Sequence, residues 1–325
     1  MLGDIEDEIN NIYNNSQFVF LTNTENFETE SFHLMQSMGL IHKSKYCKDC
    51  NKNMQWYPSG RFDLFEGICL QCKQTCSIRQ GSPLETIDCS YYKILEVLWA
   101  WCNCEDIEKT AVRLGIEQTT VMNIFLIAGL AAQRHIKKHI SQWKIGGPGI
   151  IVLIDTFPET YFGANRKSNR PILCLAELKG FPLTIVFHPL QTDSRNEQDT
   201  EQKIKANCQT IIRDFVHPES AVVARRNATY CSYEDILSNQ PQFNVLASDE
   251  GLLKHESVGR NLQTILSTIW EEAVYICMTA QYLPDHLMKS FLVSQMWKNK
   301  YSHRAQSLIL TEIANLVNDG NHENQ

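Results

Sequence analysis

Two pairs of cysteines and one isolated carboxylate are the residues whose types and spacing allow chemistry. Cys47-Lys48-Asp49-Cys50 is followed, eighteen residues on, by Cys69-Leu70-Gln71-Cys72. Two Cys-x-x-Cys turns let four thiolates close a tetrahedron around zinc, with the backbone amides of each turn aimed at the sulfurs. Met54-Gln55-Trp56-Tyr57 and the stretch from Phe62 to Gly67 have strand character around a Pro58-Ser59-Gly60 turn. The spacing therefore predicts a zinc ribbon, with a β-hairpin between its knuckles and zinc as a structural cofactor. Cys76 lies close enough to stand in for Cys72. A ribbon this small buries too little surface to fold without its metal.

The carboxylate is Asp155. Five consecutive apolar residues from Ile150 to Ile154, four of them β-branched, run straight into it, which reads as a buried strand with an acid at its end. A strand of that kind is how an α/β nuclease core holds its first metal-binding aspartate on a rigid element. From this stretch alone, a turn-capping role for Asp155 before Pro158 is an equal alternative.

The elements around these residues follow from periodicity and punctuation. The first 29 residues read as irregular or a short helix, and a helix from Glu30 stops at Gly39. The stretch from Ser90 to Trp101 carries a helical apolar stripe. Ala111, Gly115 and Val121 then fall at the spacing of a helix-turn-helix: a small residue where two helices touch, a glycine in the turn, a branched residue packing the second helix. In a DNA reader, Gln118, Thr119, Thr120 and Asn123 would reach base edges, while Arg134, Lys137 and Lys138 would sit on phosphates. The second helix, read from Val121 to Gln133, is largely apolar, so internal packing or dimerisation is the competing use. Farther on, Leu262 to Met278 and Asp285 to Trp297 read as two helices broken at Tyr282-Leu283-Pro284. The segment from Gln191 to Gln202 reads as a polar loop, and the end of the chain as a polar tail. His286 and His303, alone on helices, read as packed or solvated.

Composition sets bounds. With 325 residues, 43% hydrophobic and 21% charged, the chain is an ordinary globular protein of two or three domains. The acidic start and the lack of a long apolar run predict neither a signal peptide nor a membrane partner. Twelve cysteines read as metal ligands plus free thiols in a reducing compartment. A formal net charge of −7 excludes a broad electropositive grip on DNA, leaving a local patch or weak contact.

The collinear order of Gly39-Leu40-Ile41, the ribbon, Ser77-Ile78-Arg79-Gln80-Gly81-Ser82, Lys93-Ile94-Leu95-Glu96, the helix-turn-helix, Ile154-Asp155 and Phe162-Gly163 resembles the Merlin/IS1016-type transposases. Their core is called the ISXO2-like transposase domain, and the resemblance covers Phe32 to Tyr301. It implies an α/β chain: an N-terminal acidic/helical segment (1–45), a zinc ribbon (46–80), a helix-turn-helix region (88–145), an RNase H-like domain (149–310) and a C-terminal tail (311–325). In such proteins three acids hold two divalent ions for phosphodiester transfer. Arg170 to Leu178 and Phe181 to Phe187 would be the second and third strands, joined around Lys179-Gly180.

Asp155 matches the first metal-binding acid. The second position falls within Ser220 to Tyr230 and is occupied by Arg225. The third is occupied by Leu266, or by Ser267 if the register slips by one. A guanidinium stays charged and ligates no cation, and one carboxylate beside it leaves the four positive charges of two magnesium ions uncompensated. Magnesium catalysis is therefore not expected. Asp249, Glu250, Glu271 or Glu272 would have to restore it. Asp155 is instead expected to pair with Arg225 if their strands are neighbours. The resemblance then implies a catalytically inactive transposase-derived protein, a nuclear DNA- or chromatin-associated factor or a protein-interaction adaptor. Its partners would be DNA, another protein or a second copy. The alternatives are an active transposase with relocated acids, an interaction module with no nucleic-acid role, and a cytoplasmic location.

Overall fold

The computed structural model describes residues 24–59, 63–157, 170–179, 184–190, 197–248 and 270–320. It divides into two compact units, Met1–His135 with Tyr301–Gln325, and Ile136–Lys300. No described helix is long and apolar enough to cross a membrane.

The first unit opens with helix α1, Thr24–Ser37, which begins six residues before the expected start at Glu30. Its Phe32 packs tilted against Phe65 at 4.8 Å and meets Tyr91 edge-on at 5.5 Å, tying the helix to the ribbon and to the helix that follows. The ribbon is a three-stranded antiparallel sheet of β1 (Gln55–Pro58), β2 (Phe65–Ile68) and β3 (Thr75–Ser77) in that order. The hairpin matches the sequence reading. The third strand was not foreseen, because three residues are too few to show an alternation. Residue 60 of the expected turn lies outside the described residues.

Helix α2, Tyr91–Cys102, buries Tyr91, Ile94, Leu95, Val97, Leu98 and Trp101. Helix α3, Ile107–Leu114, starts at Asp106, whose side chain accepts from the Lys109 amide, and ends at Gly115 in the left-handed region with φ 58°. A side chain rarely adopts that backbone, so the glycine allows the chain to reverse into α4, Gln118–Lys138. Within this unit α4 buries Val121, Ile124, Phe125, Ala128, Ala131 and Ala132, an i, i+3, i+4, i+7 stripe turned to the core.

The C-terminal stretch departs from expectation. Helix α9, Ala305–Gly320, runs through the region from 311 read as a tail. Its Ile309, Leu310, Ile313 and Ala314 are buried, and it belongs to the first unit rather than to the 149–310 block. Four apolar side chains on one helical face outweigh the polar residues between them.

Arg79 fastens the ribbon to the helices. Its side chain is 2% exposed and lies 2.7 Å from the Asp63 carboxylate. It donates to the carbonyls of Ile87 at 2.7 Å and Cys89 at 2.8 Å and stacks over the Tyr91 ring at 4.3 Å. A buried charge is tolerated only when its donors are satisfied in this way.

The second unit is built on a five-stranded mixed sheet. The central strand β4, Ile151–Phe157, is buried along almost its whole length. β5 (Ile172–Leu178) and β6 (Thr184–Pro189) extend it as an antiparallel meander, while β7 (Ala221–Ala224) and β8 (Asn244–Ala247) lie parallel to it on the other side. Covered on both faces, β4 needs no polar alternation, as its apolar run foretold. It continues two residues past Asp155, however, so the acid sits inside the strand, opposite Cys174, rather than at its end. The residues from 158 to 169, including Phe162-Gly163, lie outside the described residues.

Helix α5, Glu197–Phe215, overturns the expected loop from 197 to 202; its first part, 191–196, lies outside the described residues. Ile204, Cys208, Ile211, Ile212 and Phe215 are buried at helical spacing, so the polar residues are its solvent face. Helix α6, Tyr233–Asn239, was also unforeseen, although Ser232 and Asp235 form a capping box at its start. Residues 270–281 form α7, and α8, Asp285–Tyr301, follows after the expected break at Pro284. Arg170 closes the end of α7: it donates to the carbonyls of Ala280, Gln281 and Leu283, ion-pairs with Asp285, and exchanges backbone bonds with the Gln281 amide.

Replacing Arg79 with Met takes from Asp63 its charged partner and from two buried carbonyls their arginine donor, and is expected to cost about 2–4 kcal/mol. A thermal melt of the variant reads this directly. An unchanged melting temperature would remove Arg79 as the fastening.

Candidate functional site

The four cysteines of the ribbon converge. The Sγ atoms of Cys47, Cys50, Cys69 and Cys72 all lie within 4.8 Å of one another, with Cys47 and Cys72 at 3.5 Å. The two knuckles are built alike. Asn51 N–H donates to the Cys47 carbonyl at 2.9 Å and Cys47 N–H to the Lys52 carbonyl at 2.8 Å; Lys73 donates to Cys69 at 2.8 Å and Cys69 to Gln74 at 2.9 Å. The residue after each second cysteine, Asn51 or Lys73, is left-handed with φ 50° and 62°. Gln74 crosses from one knuckle to the other, donating to Asp49 at 2.6 Å.

Local charge in this cluster is uneven. The Cys72 amide, aimed at Cys69, pulls that thiol down to about 7. Cys50, hydrogen-bonded first to Cys72 and then desolvated, is pushed up to about 12. Four thiolates so close repel one another, and a divalent cation at their centre removes the conflict. The donor set and spacing therefore fit a metal such as zinc. Among the described residues these four are the one group of three or more potential ligands within such reach. Cys76 stands apart, half-buried with its thiol against the Met54 sulfur at 3.4 Å.

Asp155 is 3% exposed. Because Ile154 and Ala224 are register partners on the parallel pair β4 and β7, the next residues, Asp155 and Arg225, emerge side by side. Arg225 Nη2 donates to Asp155 Oδ1 at 2.5 Å, and the Thr156 amide donates to the same oxygen at 2.8 Å. The pairing expected on the condition that the strands were neighbours is thus present. Burial still pushes the Asp155 carboxyl above its ordinary range, with Arg225 and the Thr156 amide pulling it back.

Of the residues considered as replacement acids, Glu271 and Glu272 are exposed on α7 and form no three-ligand group with Asp155 among the described residues. Asp249, Glu250, Leu266 and Ser267 lie outside the described residues.

The proposed base and phosphate contacts are not gathered into one patch. Gln118, Thr119 and Asn123 are exposed and Thr120 half-buried at the start of α4, while Arg134, Lys137 and Lys138 are exposed near its end. At 1.5 Å per residue the nearest of them, Asn123 and Arg134, are roughly 16 Å apart along the axis. Arg113, the basic residue in the last turn of α3, is already held by Glu96 at 2.9 Å and Glu105 at 3.1 Å.

One polar cluster had no sequence signal. His135 is buried, with Nδ1 at 3.1 Å from Glu312 and Nε2 at 3.0 Å from the Tyr301 hydroxyl. The partners come from the far end of the chain, and nothing local in the sequence marks them.

Comparison with protein-family models, with curated proteins and with solved structures returns no match.

Two measurements test this geometry. Elemental analysis of the purified chain is expected to give one metal ion, retained in Cys76→Ser and lost in Cys50→Ser; loss in Cys76→Ser would transfer the fourth ligand to Cys76. The second concerns pH. A carboxyl whose folded pKa is raised contributes stability that is fully present below its unfolded value and is lost as pH rises through the folded one. Wild type should therefore gain stability over Asp155→Asn as pH falls from neutral toward 3.8, the ordinary value. A difference in melting temperature that stays flat with pH would contradict the raised pKa.

Proposed function

We propose that this chain is a transposase-derived protein that has lost two-metal catalysis and works by binding, as a nuclear DNA- or chromatin-associated factor or a protein-interaction adaptor. The observation that carries the reading is the Asp155–Arg225 pair. In an RNase H-like nuclease, the first and second acids stand at neighbouring positions on parallel strands and share the divalent ions. Here the same neighbours cancel each other. Two divalent ions would meet a local charge near zero, and magnesium gives up its waters reluctantly even to a well-charged site.

Other features support the reading. A central strand with an antiparallel meander on one side and two parallel strands on the other is the arrangement expected of an RNase H-like core. The capped α3, left-handed Gly115 and α4 suit a helix-turn-helix, and the four cysteines suit structural zinc. The adaptor version is favoured over base reading. α4 spends its apolar face on the core, Arg113 is neutralised by two acids, and the net charge is −7, which opposes a phosphate backbone. A protein partner, a second copy included, therefore ranks ahead of DNA.

Incubating the full chain with terminal-repeat duplex and Mg²⁺ or Mn²⁺ is expected to leave the DNA intact. Protein partners captured from nuclear extract should persist after nuclease treatment. Strand cleavage that disappears in Asp155→Ala would establish a working transposase instead, and partners lost on nuclease treatment would favour the DNA-bound version.

A further inference from the structure

Eight of the twelve cysteines lie outside the ribbon's metal-ligand set, and two of them touch. Cys174, in the middle of β5, and Cys277, on α7, stand with Sγ atoms 3.6 Å apart although 103 positions separate them in sequence. Cys174 is 0% and Cys277 1% exposed. Both elements are held in place: β5 is paired on both edges, and Arg170, two residues before β5, grips the end of α7; Cys174 also faces the Ile172 carbonyl at 3.8 Å.

We propose that Cys174 and Cys277 are a cross-linking site, at which a peroxide oxidant converts the two thiols to a disulfide joining β5 to α7. The sulfurs stand at van der Waals contact, and a disulfide brings them to about 2 Å. The reaction balances with hydrogen peroxide. One thiolate attacks a peroxide oxygen, giving a sulfenic acid and, after protonation, water. The second thiol attacks that sulfur, the S–S bond forms, and a second water leaves. Two thiols lose two electrons and two protons, and one peroxide becomes two waters.

Burial pushes the Cys174 thiol well up, with Cys277 adding to the effect and Asp155 and Cys231 contributing less. The pair is therefore slow to oxidise, and the product, equally buried, is shielded from reductant. The cross-link encloses β6, α5, β7, α6 and β8, so it restricts the unfolded chain over a long loop. This inference does not depend on any descent from a nuclease. It needs only the contact between β5 and α7.

The test uses the metal-loaded full chain, treated with hydrogen peroxide or kept reduced, then alkylated under denaturing conditions and digested without reductant. Mass mapping should recover a linked peptide pair containing Cys174 and Cys277 from the oxidised sample alone, 2 Da lighter than the sum and released by reduction. The oxidised protein should also melt roughly 5–10 °C above the reduced form, a gap absent in Cys277→Ala. Recovery of both cysteines unlinked from the oxidised sample, or linkage of Cys174 to another cysteine, overturns the proposal. Should the variant fail to fold, the peptide map of the wild type decides alone.

Discussion

A carboxylate buried in the centre of a sheet must be balanced, and the second unit is arranged around that requirement. Asp155 lies within β4, enclosed by strands on either side, where an unpaired charge costs far more than one hydrogen bond returns. Arg225 supplies the balance because β7 runs parallel to β4 in the register that brings the two side chains together. Breaking the pair by removing one partner leaves the other stranded, and this makes the pair a constraint on the fold. The guanidinium of Arg225 is partly exposed, so the neutralised pair reaches the end of the sheet, where parallel strands usually present their chemistry.

The first unit solves a different problem. Its ribbon is three short strands with few buried side chains, and two devices hold it: the four-sulfur cluster at one end, and Arg79 with Asp63 at the other. Phe32 completes the attachment by filling the space between Phe65 and Tyr91. A metal ion alone would order the knuckles and leave the ribbon free to pivot. The buried arginine fixes its orientation against α2, since five donors in a rigid plane admit few alternative placements.

Legibility in the sequence tracked how local the signal was. The knuckles announce themselves in four residues each, and Ala111, Gly115 and Val121 mark α3, the turn and α4 through spacing that needs no tertiary context. The apolar run before Asp155 reads as buried strand for the same reason. The Asp155–Arg225 pair was legible only through the assumed adjacency of two strands 70 positions apart. Residues 311–320 of the expected tail and 197–202 of the expected loop were misread because polarity was weighed over spacing. α9 and α5 are two-faced helices, and their buried residues recur every three or four positions. The contacts of His135 with Tyr301 and Glu312, and of Cys174 with Cys277, pair residues more than a hundred positions apart, with no composition or period to mark them.

That α9 belongs with the N-terminal residues has a consequence for how the molecule is made. During translation Ile136–Lys300 is made before α9, so the first unit must wait, with the α9-facing side of α2 uncovered, until residues 305–320 follow. The unit whose synthesis starts earlier is thus completed later, and a chain cut short before residue 305 would leave it incomplete.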